Sequence, residues 1–319
     1  MRVNRRFLYF GVFLVAIGGV LVAADLSSID AAAITDALRL WPLAIVAIGL
    51  GLVLGRTRFS LPGGMLAAAV PGLLLGGGFA LAPRIAADCG AAGVPATVTS
   101  EQGVFDGPAR ISVATGCGSL IVTTAPGSGW RLEGGDAGGR APIIDASSRS
   151  LAIDAGGRAR WYRFDADRDS WRLTLPTSAI EDLSFVVNAG EGQIALPGTR
   201  IDRLDVTTNA GSTTVDLSEA AVARLSGTLN AGMLSVRLAA ADLAGSFEVN
   251  AGALEVCIPA EVGLRVRHDG ALSGISINGF HQADTDWQSP NYASATYHAD
   301  LNIDSNLGSV EINPIGGCK

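Results

Sequence analysis

The tripeptide Asn-Ala-Gly recurs along the second half of the 319-residue chain. Its four copies begin at Asn188, Asn209, Asn230 and Asn250. They are spaced by 21, 21 and 20 residues. On both sides of each copy apolar residues alternate with polar ones, which is the period of a β-strand. A chain with this repeat must fold into units of nearly equal length.

Degenerate copies extend the repeat around residues 116–118, 269–270 and 306–308. A strand, a tight turn and a second strand cannot bury their apolar face alone, so neighbouring units must stack. Asn and Gly suit the turn because both tolerate positive φ, and stacked Asn side chains can form a hydrogen-bonded ladder. The sequence therefore predicts an all-β, single-domain β-solenoid over residues 106–319, with coils of about 20–21 residues. The predicted turn ladder comprises Asn188, Gly190, Asn209, Gly211, Asn230, Gly232, Asn250, Gly252, Asn306 and Gly308.

Three apolar stretches precede the repeat and give the chain its positive mean hydropathy of +0.35. They predict an α-helical transmembrane region of about three helices, since a spanning helix needs about 20 apolar residues. The predicted helices cover residues 7–24, 38–55 and 61–83. Residues 1–84 form this anchor and residues 85–105 a linker. A cleaved signal peptide is the alternative for the first stretch, but its apolar run is longer than usual for one.

Charge is divided unevenly between the two parts of the chain. Residues 1–84 carry a net charge of +4 and residues 85–319 a net charge of −11, which together give −7. An acidic domain is a poor partner for nucleic acid, so that function is excluded. The arginines before the first and third stretches predict an inside N-terminus and an extracytoplasmic C-terminal domain in a multi-pass protein of the inner membrane. If the second stretch does not cross, the domain is cytoplasmic instead.

Four cysteines follow the last apolar stretch. They are Cys89, Cys117, Cys257 and Cys318. An even number in a domain predicted to lie outside the cytoplasm favours disulfides, for which three connectivities exist. Free, partly buried thiols are the alternative.

Two polar stretches with aromatic residues interrupt the repeat, at residues 158–171 and 281–298. The first resembles the start of a calcium loop, but it lacks the required glycine and bidentate glutamate, so a solvated loop is favoured. The aromatic residues predict a partner surface. Its members are Trp161, Tyr162, Trp171, Trp287 and Tyr292.

The sequence contains no catalytic or phosphate-binding motif of a known kind. Its three histidines are too scattered for a metal site, and we expect His268 to point outward into solvent. Outward acidic residues are dispersed, unlike the paired acid and base of a glycosidase. We therefore predict a protein that is not an enzyme and has no cofactor and no metal. A β-helix enzyme acting on polysaccharide is the less favoured alternative.

The repeat region resembles the toast-rack, or adhesin-type, β-solenoid domains of bacterial envelope proteins. The resemblance rests on the serial Asn-Ala-Gly turns and on closing segments at residues 279–280, 287–292, 301–303 and 308–312. Residues 40–54, with Trp-Pro followed by aliphatic residues and spaced glycines, resemble one helix of the LiaI/LiaF-type membrane region. That domain order occurs in LiaF-like proteins, which are linked to the response to cell-wall antibiotics.

This resemblance implies a membrane-anchored, non-catalytic envelope protein that senses or modulates envelope stress by binding a protein or an envelope ligand. The implied partners are the membrane and an envelope protein such as a sensor kinase, and a homo-oligomer is left open. An adhesin-like or structural scaffold domain is the alternative function.

Overall fold

The computed structural model describes most of the repeat region and parts of the N-terminal region. The described residues are 5–25, 45–46, 49–50, 53–54, 61–75, 99–136, 141–155, 168–178, 180–277, 279–283 and 286–314. The chain divides into two compact units. The first comprises Met1–Ile85 with Arg160–Phe164, and the second Ala86–Ala159 with Asp165–Lys319.

The first unit contains helix α1 (Arg5–Asp25) and a helical segment at residues 61–75. No helix among the described residues combines the length and the apolar character that crossing a bilayer requires. The prediction of about three transmembrane helices, at residues 7–24, 38–55 and 61–83, is therefore wrong.

Helix length gives the physical reason for this correction. The charged residues Arg5, Arg6 and Asp25 at the ends of α1 leave an uncharged run of about 27 Å, at 1.5 Å per residue. The described part of the third stretch, residues 61–75, is helical and measures about 22 Å. Residues 76–83 lie outside the described residues. Both values are below the ~30 Å of a bilayer's hydrocarbon core. Most of the expected helix at residues 38–55 lies outside the described residues.

The described residues of the second unit form sixteen strands. These are β1 (Thr99–Val104), β2 (Ala109–Ala125), β3 (Gly129–Asp136), β4 (Ile143–Ala146), β5 (Ser150–Asp154), β6 (Arg168–Pro176), β7 (Ile180–Ala195), β8 (Arg200–Thr208), β9 (Gly211–Asp216), β10 (Ala221–Leu229), β11 (Gly232–Arg237), β12 (Leu243–Cys257), β13 (Val262–Ile277), β14 (His281–Ala283), β15 (Asp286–Gln288) and β16 (Tyr297–Ile312). Strand β1 falls within the range that the sequence assigns to a linker.

The strands stack as parallel coils that form two rows, one on each side of the Asn-Ala-Gly turn. In the first row β5, β2, β7, β8, β10, β12, β16 and β13 follow one another. In the second row the order is β6, β2, β7, β9, β11, β12, β16 and β13. The long strands β2, β7, β12, β13 and β16 contribute to both rows.

One continuous core fills the inside of the stack. Side chains at alternate positions point inward and align from coil to coil, because the strands pair in register. One such column consists of Val113, Phe185, Val206, Phe247 and Ile303, which are at most 3% exposed. Gly227 takes the corresponding place on β10, where an added Cβ would lie 2.5 Å from the ring of Phe247. The ring fills the space that the glycine leaves.

Strand order in space departs from chain order at both ends of the stack. Strand β2 lies between the later strands β6 and β7, and the C-terminal strand β16 is inserted between β12 and β13. Short antiparallel strands pair with the outermost coils. These pairs are β4 on β5, β3 on β6, β1 on β3, β15 on β13 and β14 on β15.

The asparagines of the repeat form a ladder with a single direction. Each Nδ2 donates to the Oδ1 of the asparagine in the preceding coil. The steps are Asn306 to Asn250 at 2.8 Å, Asn250 to Asn230 at 2.9 Å, Asn230 to Asn209 at 2.6 Å and Asn209 to Asn188 at 2.7 Å. The row ends where Asn188 Nδ2 donates to the carbonyl oxygen of Thr115 at 2.7 Å. The ladder thus links six successive coils.

The glycine two residues after each asparagine adopts positive φ, for example 123° at Gly211 and 113° at Gly232. A Cβ on Gly211 would collide with the carbonyl oxygen of Gly190 in the neighbouring coil. Both the conformation and the spacing of the coils therefore require glycine at this position.

Replacing one asparagine tests the contribution of the ladder. We expect Asn209→Ala to lower the free energy of unfolding by about 1–2 kcal/mol, because two hydrogen bonds are lost in a solvent-accessible row. Urea unfolding followed by the fluorescence of the buried Trp130 and Trp171 measures this change. The control is Asn302→Ala, an exposed asparagine outside the ladder. Equal effects of the two variants would contradict a stabilising ladder.

Candidate binding surface

The outward side of the first row presents small polar side chains in register. We call this surface the outer face and define it by Ser184, Asp205, Thr207, Ser226, Thr228, Ser246 and Glu248. These residues alternate with buried core residues along β7, β8, β10 and β12. Neighbouring strands lie about 4.8 Å apart, so the outer face is a regular array of hydroxyl and carboxylate groups.

Ion pairs border the outer face. Arg203 Nε lies 2.8 Å from Asp205 Oδ2, and Arg110 Nε lies 3.2 Å from Asp182 Oδ2 on the neighbouring strand. The hydrogen bond to Asp205 and its negative charge raise the pKa of Arg203. Exposed pairs of this kind fix side-chain positions more than they stabilise the fold.

The outward side of the second row contains buried polar groups. Ser235 on β11 is only 4% exposed although its side chain points away from the core. On the next strand, one carboxylate oxygen of Glu255 is buried and has no hydrogen-bond partner in the part of the chain that the structure describes. Glu255 also lies in register with Glu311. This side of the stack is therefore uneven, because Ser235 is buried whereas Glu191 and Gln193 on β7 are exposed.

Tyr292 belongs to a polar cluster at the C-terminal end of the stack. Its hydroxyl donates to Asp300 Oδ1 at 3.0 Å, and Asp300 also accepts from Arg265 Nε at 2.9 Å. The Arg265 guanidinium lies 5.4 Å from the centre of the Tyr292 ring, and the His298 ring packs edge-on against that ring. Burial and the hydrogen bond to Asp300 raise the pKa of Tyr292. These contacts hold the loop to the end coil.

The structure does not gather the aromatic residues of the predicted partner surface. Trp171 is 3% exposed in the core of β6, and Trp287 on β15 packs partly buried against the core. These two strands lie at opposite ends of the stack. Trp161 and Tyr162 lie outside the described residues. The remaining described residue of the predicted partner surface is Tyr292. Its side chain contacts Arg265 and Asp300 in the polar cluster.

His268 lies inside the last coil, not in solvent as the sequence suggested. Its Nε2 is 2.7 Å from Ser305 Oγ, and Ser273 also hydrogen-bonds to Ser305. His268 aligns with the core residue Ile303. The two-residue alternation predicts this inward placement. His268 lies directly before the turn, and residues two and four positions earlier in the strand also point inward. Burial lowers the pKa of His268, although the charges of Asp269 and Asp304 oppose the change.

Cys117 and Cys257 are both disulfide-bonded. In the second row β7, β9 and β11 separate their strands, which gives about 19 Å at four strand spacings. A disulfide joins Cα atoms about 4.4–6.8 Å apart, so these two cysteines do not pair with each other. The other two cysteines of the sequence, Cys89 and Cys318, lie outside the described residues.

No group of three or more side chains suited to a metal ion occurs among the described residues. A cavity of about 10 Å³ lies between Leu217, Val222 and Leu238 and has an apolar lining. That volume holds about one water molecule. Among the described residues, the outer face is therefore the candidate binding surface that we consider further.

Comparison with known proteins supports a toast-rack-like fold. Residues 144–239 match the family model described as the N-terminal domain of toast_rack, DUF2154. No curated protein matches the chain. Two solved structures are similar to it. They are a candidate cell adhesion protein from Clostridium sporogenes (13% identity, 68% of this chain and 99% of that one, TM-score 0.43) and a candidate adhesin from Bacteroides fragilis (10% identity, 68% and 97%, TM-score 0.29).

The partly buried His268 predicts a pH dependence of stability. Because the folded-state pKa of His268 is lowered, the unfolded chain takes up this proton first as the pH falls from about 6.5. The free energy of unfolding should therefore decrease between pH 7 and pH 5.5, and His268→Gln should flatten the decrease. Urea unfolding at both pH values measures the effect, with the exposed His281→Gln as control. An unchanged pH dependence in His268→Gln would contradict this assignment.

The strand register also predicts the disulfide connectivity. The N–H of Asn313 donates to the carbonyl oxygen of Val256, next to Cys257. The five residues from Asn313 to Cys318 span at most about 18 Å, whereas Cys117 lies about 31 Å from Asn313, at five strand spacings and six residues along the strands. We therefore expect Cys257–Cys318 and Cys89–Cys117.

Mass spectrometry of non-reduced peptides measures this connectivity. In Cys318→Ser, Cys257 should become open to alkylation while Cys117 stays protected. A peptide linking Cys117 to Cys318 would refute the assignment.

Proposed function

We propose that the chain is an adhesin-like or scaffold module of the cell envelope, which binds a protein or an envelope ligand through the outer face and catalyses no reaction. The observation that carries this proposal is the in-register array of Ser, Thr, Asp and Glu side chains on four adjacent strands. A flat polar array of this kind suits an extended partner, since small-molecule sites are usually concave and largely apolar.

The arrangement of carboxylates supports binding over catalysis. Asp205 and Glu248 of the outer face lie on strands separated by β10, with Ser226 and Thr228 between them. Asp205 is also held by Arg203. A glycosidase needs two carboxyl groups facing one bond, one of them protonated. The absence of enzymatic activity is part of the proposal.

Placement of the second unit outside the cytoplasm is also proposed. The disulfide-bonded Cys117 and Cys257 support it, because disulfides persist mainly in oxidising compartments. The first unit exposes large apolar side chains, among them Phe7 at 76% and Val15 at 73%. Exposed apolar surface of this kind usually marks an interaction site. For an envelope protein we propose that this surface contacts the lipid membrane.

A role in envelope-stress sensing, with a sensor kinase as the partner, is a narrower proposal. It rests on the resemblance to LiaF-like proteins and on no particular side chain of the outer face. The adhesin-like function needs only the surface itself and is therefore the one we favour.

A retention assay with the full-length protein on beads tests the binding function. As the probe we use envelope fragments from the cells that produce the protein. These fragments contain peptidoglycan and membrane proteins. We expect Ser226→Trp to lower retention about tenfold, because a bulky ring at the centre of the outer face prevents close contact. The matched control is Thr214→Trp on the outward side of the second row, which should change retention less than twofold.

Two outcomes would contradict the proposal. One is equal retention by the two variants. The other is a steady release of soluble saccharide from the fragments, which would indicate catalysis.

A further inference from the structure

The stack has four row ends, and three of them carry an antiparallel cap. Strand β4 caps β5, β3 caps β6, and β15 caps the first-row part of β13. The fourth end is the second-row part of β13, residues 270–277. On one side this segment pairs with β16, and no described strand pairs with its other side. Since N–H and C=O groups alternate in direction along a strand, those of every second residue point away from β16.

The open edge also lacks the features that usually protect an edge strand. Natural edges are short or carry charged residues. The other described edges follow this rule: β14 has three residues, β4 has four, and β1 contains Glu101. Residues 270–277, Gly-Ala-Leu-Ser-Gly-Ile-Ser-Ile, contain no charge and no proline. This segment is therefore competent to pair with another strand.

Core burial is incomplete at the same edge. Ile275 and Ile277 occupy inward columns whose members on β16 are Val310 and Ile312. Those two residues are fully buried, whereas Ile275 and Ile277 are only partly buried. One additional strand beside β13 would remove the remaining apolar surface of both isoleucines from water.

We propose that the second-row edge of β13 is a docking site for an extended segment of a protein partner, which adds to the stack as a further strand. The segment would donate and accept main-chain hydrogen bonds along residues 270–277. Its aliphatic side chains would alternate and lie over Ile275 and Ile277. This site is separate from the outer face, so the two proposals stand or fall independently.

The neighbouring cap argues for a single segment and against a second copy of the chain. Strands β15 and β14 extend the first row by two strands beyond β13, which is about 10 Å. Two copies that met through this edge would bring both caps into the same space. Because the second row ends two strands earlier than the first row, the space beside the cap has room for one strand or a hairpin.

A synthetic peptide of residues 230–238, Asn-Ala-Gly-Met-Leu-Ser-Val-Arg-Leu, is a suitable probe, because its β11 part pairs on both sides within the stack. Binding of the labelled peptide to the full-length protein is measured by fluorescence anisotropy. Hydrogen–deuterium exchange then locates the contact. We expect saturable binding and slower exchange of the amides of residues 271–277, with no change at β1 or β4.

Two lysine variants separate the inward and outward sides of the edge. Ile275→Lys places a charge in the inward column and should weaken binding at least tenfold. Ser276→Lys, the matched control on the outward side, should weaken it less than threefold. If circular dichroism shows that Ile275→Lys is unfolded, Ile275→Thr is measured in its place, with a smaller expected loss. Ser226→Trp on the outer face should leave peptide binding unchanged.

The proposal is overturned if exchange at residues 271–277 is the same with and without saturating peptide. It is also overturned if the protein forms a dimer that Ile275→Lys dissociates, because the occupant would then be a second copy.

Discussion

The hydrogen bond from one asparagine to the next is the interaction on which the rest of the solenoid depends. It requires the turns of the six coils that it links to lie directly beside one another, at a distance that only glycine permits at Gly211 and Gly232. Once the turns are aligned, the strands on both sides are in register, and inward and outward columns follow without further specification. The core and the outer face are thus two results of one constraint.

Local sequence features predict this part of the structure because they encode it directly. An Asn-x-Gly turn and a two-residue alternation specify where a coil bends and which side faces inward. His268 shows how sensitive such reasoning is to a single position. The alternation of inward and outward residues places its side chain inward, although the sequence suggested a position in solvent. The order of the coils at the two ends was not predictable. Strand β16 could pair with the outer side of β13 or be inserted between β12 and β13. The choice depends on tertiary contacts that leave no local pattern in the sequence.

The aromatic residues show a second limit. In a polar segment of sequence, Trp171 and Trp287 suggest an exposed recognition surface. In a stacked fold, however, the ends of the core must be covered, and large rings do this efficiently. Trp130 and Trp171 are buried at one end, and Trp287 packs on the core at the other. The first unit shows a further limit, because its apolar stretches predicted membrane-spanning helices, whereas no helix among the described residues is both long and apolar enough to cross a bilayer.

The insertion of β16 gives the stack an unusual dependence on residues 297–312, which come late in the chain. In a solenoid with sequential coils, loss of the C-terminus removes an outer coil and leaves the others paired. Here the same loss would remove an interior coil and separate β13 from β12, so a premature stop codon would damage the middle of the stack. During synthesis, β13 also leaves the ribosome before the strand that joins it to the body. The stack is therefore closed only after β16 has left the ribosome.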